Sequence, residues 1–224
     1  MVRFCDADVV VLQEATRPDV VERLAKTVGM TSWGAHPEHS VGFMSRVPIA
    51  RHAWHHPTWS KRSFLELVPE GDAVRVYGVH LSAVHSNWTE QRRVRELRAL
   101  LAAIAEHQHG FHVVCGDFNT LAPGEQLDVQ RLPYRLQAVL WLTGGRIRWQ
   151  TIQIMLDASY VDAYRMLHEK DPGFTFPTWD PHLRLDYAFV PGQYADRLKS
   201  CQVLSGAPGL TEASDHLPLL AELD

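Results

Sequence analysis

Five short blocks of this sequence place residues capable of acid–base and phosphate chemistry beside apolar runs. Glu14 closes Leu12-Gln13-Glu14, and His80 stands in Val79-His80-Leu81. Asp117 and Asn119 share Gly116-Asp117-Phe118-Asn119, Asp186 lies in Leu185-Asp186-Tyr187, and Ser214-Asp215-His216 ends the series. A carboxylate among apolar neighbours is costly unless it is paired, hydrogen-bonded or bound to a cation, so several of them at strand ends point to one shared site. Glu14 and Asp215 are hard oxygen donors suited to Mg²⁺ or Mn²⁺, ions that keep part of their water and accept a phosphate oxygen. An Asp186–His216 pair would hold one imidazole tautomer and stabilise the imidazolium. Asn119 supplies an uncharged amide for a phosphoryl oxygen. Together these groups suit hydrolysis of a phosphoester, with the ion polarising phosphorus and stabilising the leaving oxygen.

Such residues need a rigid frame, and the pattern around them supplies one. Asp8–Gln13 is a continuous β-branched apolar run, the mark of a strand covered on both faces. A helix capped by Thr16 follows, with Pro18 in its first turn and Gly29 as its stop. Strands are expected between Val41 and Val79, with Glu70-Gly71-Asp72 turning Ser63–Val68 into Ala73–Leu81. The spacing of Val94, Leu97, Leu101 and Ile104 predicts a helix over 88–107, with Asn87 and Glu90 as its capping pair. Phe111–Cys115 reads as a second covered strand. Residues 126–156 read as two short helices broken at Gly144-Gly145, and 160–168 as helix. Segments 183–190, 200–204 and 217–222 read as closing strands. Strands and helices alternate from 1 to 224 without a linker or repeat, so a single α/β domain is expected.

Composition narrows the class. The chain has 224 residues, 46% hydrophobic and 21% charged, values of a globular protein and not of a disordered tail or coiled coil. The uncharged stretch worth testing as a span, 136–145, is far short of a membrane span. Residues 1–6 lack the apolar core of a signal peptide, and Cys5, Cys115 and Cys201 are too scattered for a disulfide framework or thiolate metal site. A cytoplasmic setting is the default expectation. A net charge of −4 argues against a broad duplex-tracking basic face, while leaving room for a local phosphate site.

Taken in order, the five blocks resemble the endonuclease/exonuclease/phosphatase superfamily with its DNase-I-like fold, over residues 8–224. The resemblance implies an α/β (α+β) four-layer sandwich, two mixed β-sheets face to face with helices outside and the site at one end. It implies Glu14 as principal metal ligand with Asp215 near or on the metal, one Mg²⁺ or Mn²⁺, and a second ion on Asp117 and Asn119. Asp117 would position or deprotonate the attacking water, and Asn119 would bind the scissile phosphate. His216, oriented by Asp186, would serve as base or phosphate contact, and His80 as acid or charge stabiliser. The division of acid and base labour among Asp117, His80 and His216 stays open. Members of the superfamily usually open with a strand ending in an asparagine at the metal; thirteen residues precede Glu14 here and none is Asn. Loss of that strand would leave a sheet gap or edge with unpaired backbone groups.

The expected activity is a divalent-metal-dependent phosphoesterase. Its alternatives are an Mg²⁺-dependent DNA endonuclease or exonuclease and a non-enzymatic binding module impaired by loss of the first strand. Substrates in view are a phosphorylated small molecule, a phospholipid head group or a nucleic acid, with peripheral membrane contact allowed and no protein partner inferred. The segment 129–156 carries Arg131, Arg135, Arg146 and Arg148 among Tyr134, Trp141 and Trp149, a composition suited to a polyanion, so Arg135, Arg146 and Arg148 are candidate substrate contacts. Segments 59–62 and 175–179 are expected to border the cleft. The clusters His52/His55/His56 and His107/His109/His112 fit no helical metal-ligand spacing and read as solvated loop and helix-end histidines.

Overall fold

The computed structural model describes residues 2–58, 60, 62–71, 74–83, 87–125, 128–131, 134, 137–138, 141, 149–206 and 209–224, with Asn87 and Trp88 described in backbone only. After a short helix, α1 (Val2–Cys5), the covered run becomes β1 (Val9–Gln13), followed by α2 (Pro18–Val28). Arg17, not Thr16, occupies the α2 cap position and gives no side-chain cap; Pro18 begins the helix and Gly29 ends it at φ 79°, where Cβ-bearing residues are strained. Next come β2 (Ser32–Gly34), β3 (Val41–Ser45), β4 (Ile49–His55), β5 (Phe64–Pro69) and β6 (Arg75–His80). Helix α3 (Asn87–Ala103) leads to β7 (His112–Asp117), and a helix over Gln150–Asp157 leads to β8 (Tyr160–Asp162). The chain closes with β9 (Asp186–Pro191), β10 (Leu198–Val203) and β11 (Leu219–Leu223).

Three sheets form among the described residues: β1-β3-β2, β10-β11, and a six-stranded sheet in the order β4-β5-β6-β7-β9-β8. The large sheet is mixed, since β6 and β7 run parallel while its other pairs are antiparallel. Alternation assigns its two faces. Val114, Tyr187 and Phe189 point toward Leu97, Leu100, Ile152 and Met155 of the outer helices. Val113, Ala188 and Val190 point the other way, toward β10 and β11. On that second face Leu65, Leu67 and Val76 meet Val41, Phe43 and the β1 valines. Helix α2 then covers the small sheet through Val21, Ala25 and Met44. The order helix, small sheets, large sheet, helices is the expected four-layer sandwich, with the second sheet layer made of two antiparallel pieces. β1 pairs with β3 alone and β11 with β10 alone among the described residues.

Two helix expectations change. Segment 160–168 begins as strand β8 because Tyr160–Asp162 pairs with β9; only Ala163–Leu167 is helical, capped by the Asp162 carboxylate on the Arg165 N–H. The helix expected over 88–107 ends at Ala103, and a 3₁₀ turn fills Ala105–His107. Glu90 lies in its first turn. Its buried carboxylate accepts from Arg93 at 2.9 Å, from the Thr151 N–H and hydroxyl at 2.9 and 3.0 Å, and from Thr120 at 3.2 Å. Those donors offset the desolvation that an unpaired carboxylate would suffer there.

Candidate active site

Sheet register brings three of the five blocks into one row. His80 ends β6 opposite Asp117, which ends β7 opposite Asp186, the first residue of β9. All three lie on the face turned toward the small sheets, where parity places Val76, Val113 and Ala188. The last block joins the row through a side chain: His216 Nδ1 donates to Asp186 Oδ2 at 2.7 Å. Residues 175–178 hold that pair from behind. Thr175 Oγ1 accepts from the N–H groups of Leu185 and Asp186, the Thr175 carbonyl accepts from Leu217, and the Thr178 N–H donates to the Asp215 carbonyl. The Phe176 ring packs 4.8 Å from the His216 ring. Segment 175–179 therefore borders the site as expected, and Thr175 is a support that sequence reasoning missed.

Asn119 sits at φ 52°, a left-handed turn that folds its side chain back onto Asp117. Its Nδ2 donates to Asp117 Oδ2 at 2.6 Å and to the Leu81 carbonyl at 3.0 Å, and its backbone N–H donates to Asp117 Oδ1 at 2.7 Å. Both side-chain amide hydrogens are thus engaged, one on Asp117 and one on the Leu81 carbonyl. Glu14 also adopts a left-handed backbone, at φ 56°, directly after β1; Glu14 and Asp215 are both solvent-exposed. Arg135, Arg146 and Arg148 lie outside the described residues. Arg131, just before them, is ion-paired with Asp180, whose neighbour Trp179 is 69% exposed beside Phe176.

Electrostatics separates the two imidazoles. Burial disfavours a charged His216, yet the hydrogen bond and charge of Asp186, with Asp117 and Asp215, prevail and lift its pKa to about 9. Burial pushes His80 down to about 4, helped by Arg62 and His216; its Nδ1 has no hydrogen-bond partner among the described residues. Asp117 is driven up to about 8, first by burial and then by the facing Asp186.

Among the described residues no three His, Cys, Asp or Glu side chains converge as a closed metal cage. The donor chemistry fits an open site. The carboxylates are all-oxygen donors, and Mg²⁺ needs only one or two of them because it keeps several waters. Burial and the facing Asp186 oppose ionisation of Asp117, a cost that a bound cation would lower.

Of the histidines expected to be solvated, His52, His56, His107 and His109 are exposed, whereas His55 is half-buried and His112 buried. His112 bonds Tyr160 at 2.7 Å, His55 pairs with Glu66 at 2.8 Å, and His56 bonds Ser63 at 3.0 Å. Their partners are distant in sequence, which periodicity cannot reveal.

Solved structures with the same fold include a variant of the 3′ phosphatase NExo from Neisseria bound to product DNA hairpin (22% identity, 97% of this chain and 89% of that one, TM-score 0.72). An AP endonuclease from Archaeoglobus fulgidus aligns over 100% of this chain and 91% of its own (17% identity, TM-score 0.74). Humanized D. rerio TDP2 aligns over 97% and 86% (19% identity, TM-score 0.63). No curated protein sequence matches the chain. The sequence model of the Endonuclease/Exonuclease/phosphatase family matches residues 1–216, so the chain belongs to that family of phosphoester hydrolases.

Proposed function

We propose that this chain is a divalent-metal-dependent phosphoesterase that cleaves a P–O bond by attack of water. The observation that carries the reading is the row His80–Asp117–Asp186 with His216 bonded to its end. Asp186 fixes the His216 tautomer so that Nε2 is the nitrogen left for substrate, and keeps the ring charged to meet a phosphoryl oxygen. Asp117, held by Asn119, has the raised proton affinity needed to take a proton from water. Neutral His80 donates a hydrogen bond without adding charge. Glu14 and Asp215, with Asp117 in support, would hold Mg²⁺ or Mn²⁺; a bound ion supplies Lewis-acid polarisation of the phosphoryl oxygen.

A nucleic-acid strand is the second reading, favoured by Trp179, which lies exposed beside the Phe176–His216 contact and can stack a base. The NExo and AP endonuclease likenesses agree with it. Release from a chromogenic phosphodiester and nicking of supercoiled plasmid, each with Mg²⁺, Mn²⁺, Ca²⁺ or EDTA, test both. Metal-dependent turnover is expected and Glu14→Gln should weaken it. A folded protein inert with every ion on both substrates rejects the enzyme and favours a binding module. As substrate contacts, Arg135, Arg146 and Arg148 changed together to alanine should lower kcat/KM about tenfold or more on any active substrate; an unchanged value removes them from the site.

A further inference from the structure

A second set of polar groups continues the catalytic row on its far side. Leu65 of β5 lies opposite Gly78 of β6; Ser63 stands two residues before Leu65 and His80 two after Gly78, at the same end of the sheet. Ser63 shares the inward face with Leu65 and Leu67 and is buried. Its hydroxyl is shared by two imidazoles, His39 Nδ1 at 2.9 Å and His56 Nδ1 at 3.0 Å. His39 reaches this place from the other sheet layer: Ser40 accepts from the Ala15 N–H, one residue past Glu14. The cluster therefore lies at the same sheet ends as Glu14, His80 and Asp117.

We propose that His39, Ser63 and His56 form an anion subsite that receives a non-scissile phosphoryl group of the substrate. The name "non-scissile" rests on the phosphoesterase reading above. The proton inventory makes the case. With both rings neutral, the single hydroxyl proton serves one Nδ1 while the other ring donates to Oγ, leaving one Nε2–H donor and one Nε2 lone pair. When both rings are charged, both Nδ1–H groups donate to Oγ. The hydroxyl hydrogen and two Nε2–H groups are then free to serve an anion with charge assistance. Without an anion, the doubly charged state is opposed. Burial holds the His39 proton off, as do His36 and His56, against the exposed Glu38. Glu66, a buried acid of β5, is already taken by Arg51, Arg75 and His55, and Arg62 adds positive charge reaching His80. Packing fixes the His39 ring: Trp54 stacks on it at 5.8 Å, His36 lies 4.7 Å away, and His52 closes the other edge of Trp54.

Two measurements test the subsite. The first follows the imidazole signals of His39 and His56 by NMR, pH 5 to 8, in inorganic phosphate and in chloride at equal ionic strength. Phosphate should raise their apparent pKa by about one unit, a tenfold preference for the charged pair. Ser63→Ala and His56→Gln should each abolish the rise. Identical titrations in the two salts, or a rise that survives both variants, overturn the proposal. This readout needs no turnover, so it stands even if the phosphoesterase reading fails. The second compares kcat/KM for dithymidine monophosphate, the same dimer phosphorylated at its 5′ or 3′ end, and trithymidine diphosphate. The substrates with a second phosphate should be preferred, and both variants should shrink that preference about tenfold. The terminal-phosphate and trimer arms tell whether a dianionic monoester or a neighbouring diester is the natural occupant. A preference unchanged in both variants, even with a phosphate effect on the signals, would mean an adventitious ion only and overturns the assignment.

Discussion

Two histidine–aspartate pairs stand in one site and are tuned in opposite directions. His216 touches Asp186 at 2.7 Å and is held charged, whereas His80 lies 3.7 Å from Asp117 and is held neutral. His80 is buried and His216 half-buried, and burial opposes charge on both, so burial alone does not explain why one is held charged. The difference lies in contact and company. His216 has a direct hydrogen bond and three carboxylates acting on it, while His80 has an Nδ1 without a partner among the described residues and the positive charges of Arg62 and His216 nearby. Groups whose environments push their proton affinities apart are suited to different roles in one reaction.

The largest expected effect breaks the charged pair. His216→Ala should lower kcat by roughly 10³-fold or more with the fold retained, while His80→Ala should cost only about 10- to 100-fold, since it removes a neutral donor. Asp186→Asn should fall between them and let the His216 pKa drop toward its ordinary value in the metal-free chain. Steady-state kinetics with circular dichroism as the fold control decides; equal losses in His216→Ala and His80→Ala would erase the distinction.

Next in size is a pair of opposite stability slopes. His216 has a folded pKa above its unfolded value, so its contribution is complete below about pH 6.5 and is lost as pH rises toward 9. His80 has a folded pKa below its unfolded value, so its contribution is complete above about pH 6.5 and is lost as pH falls toward 4. Each has an upper bound on the order of 3 kcal/mol from the size of its shift. Denaturant unfolding of the metal-free wild type against His216→Ala and His80→Ala isolates each term. The His216 difference should shrink on the alkaline side and the His80 difference on the acid side; matching slopes would contradict the tuning.

Sequence made half of this contrast legible. Asp215-His216 and Gly116-Asp117-Phe118-Asn119 announce themselves because their chemistry is local, and β1, β5, β6, β7 and β9 followed from apolar runs. The Asp186–His216 contact was readable from the ordered blocks. Nothing local, however, tells that His80, Asp117 and Asp186 share one register row, or that Ser63 stands at the same end of the sheet. The buried network of Glu90 was not legible either, since its donors Thr120 and Thr151 are brought in by tertiary packing. His112, read as solvated, is buried for the same reason: it meets Tyr160 across 48 positions.

The smallest effect sharpens the neutral pair. After burial, the charge of Arg62 does most to depress His80, and it lies outside the row that holds the reacting groups. Arg62→Gln removes its charge while leaving the burial of His80 in place, so the His80 pKa should rise by less than about one unit in a side-chain NMR titration of the metal-free chain. The same change should leave the His216 pKa near 9, because the causes that lift it are the three carboxylates. If both imidazoles moved together, one shared field would be setting them, and the two pairs could not have been tuned separately. If His80 alone rises, its neutrality is built from two separable parts, a dry pocket and a neighbouring cation, and the pocket is the larger.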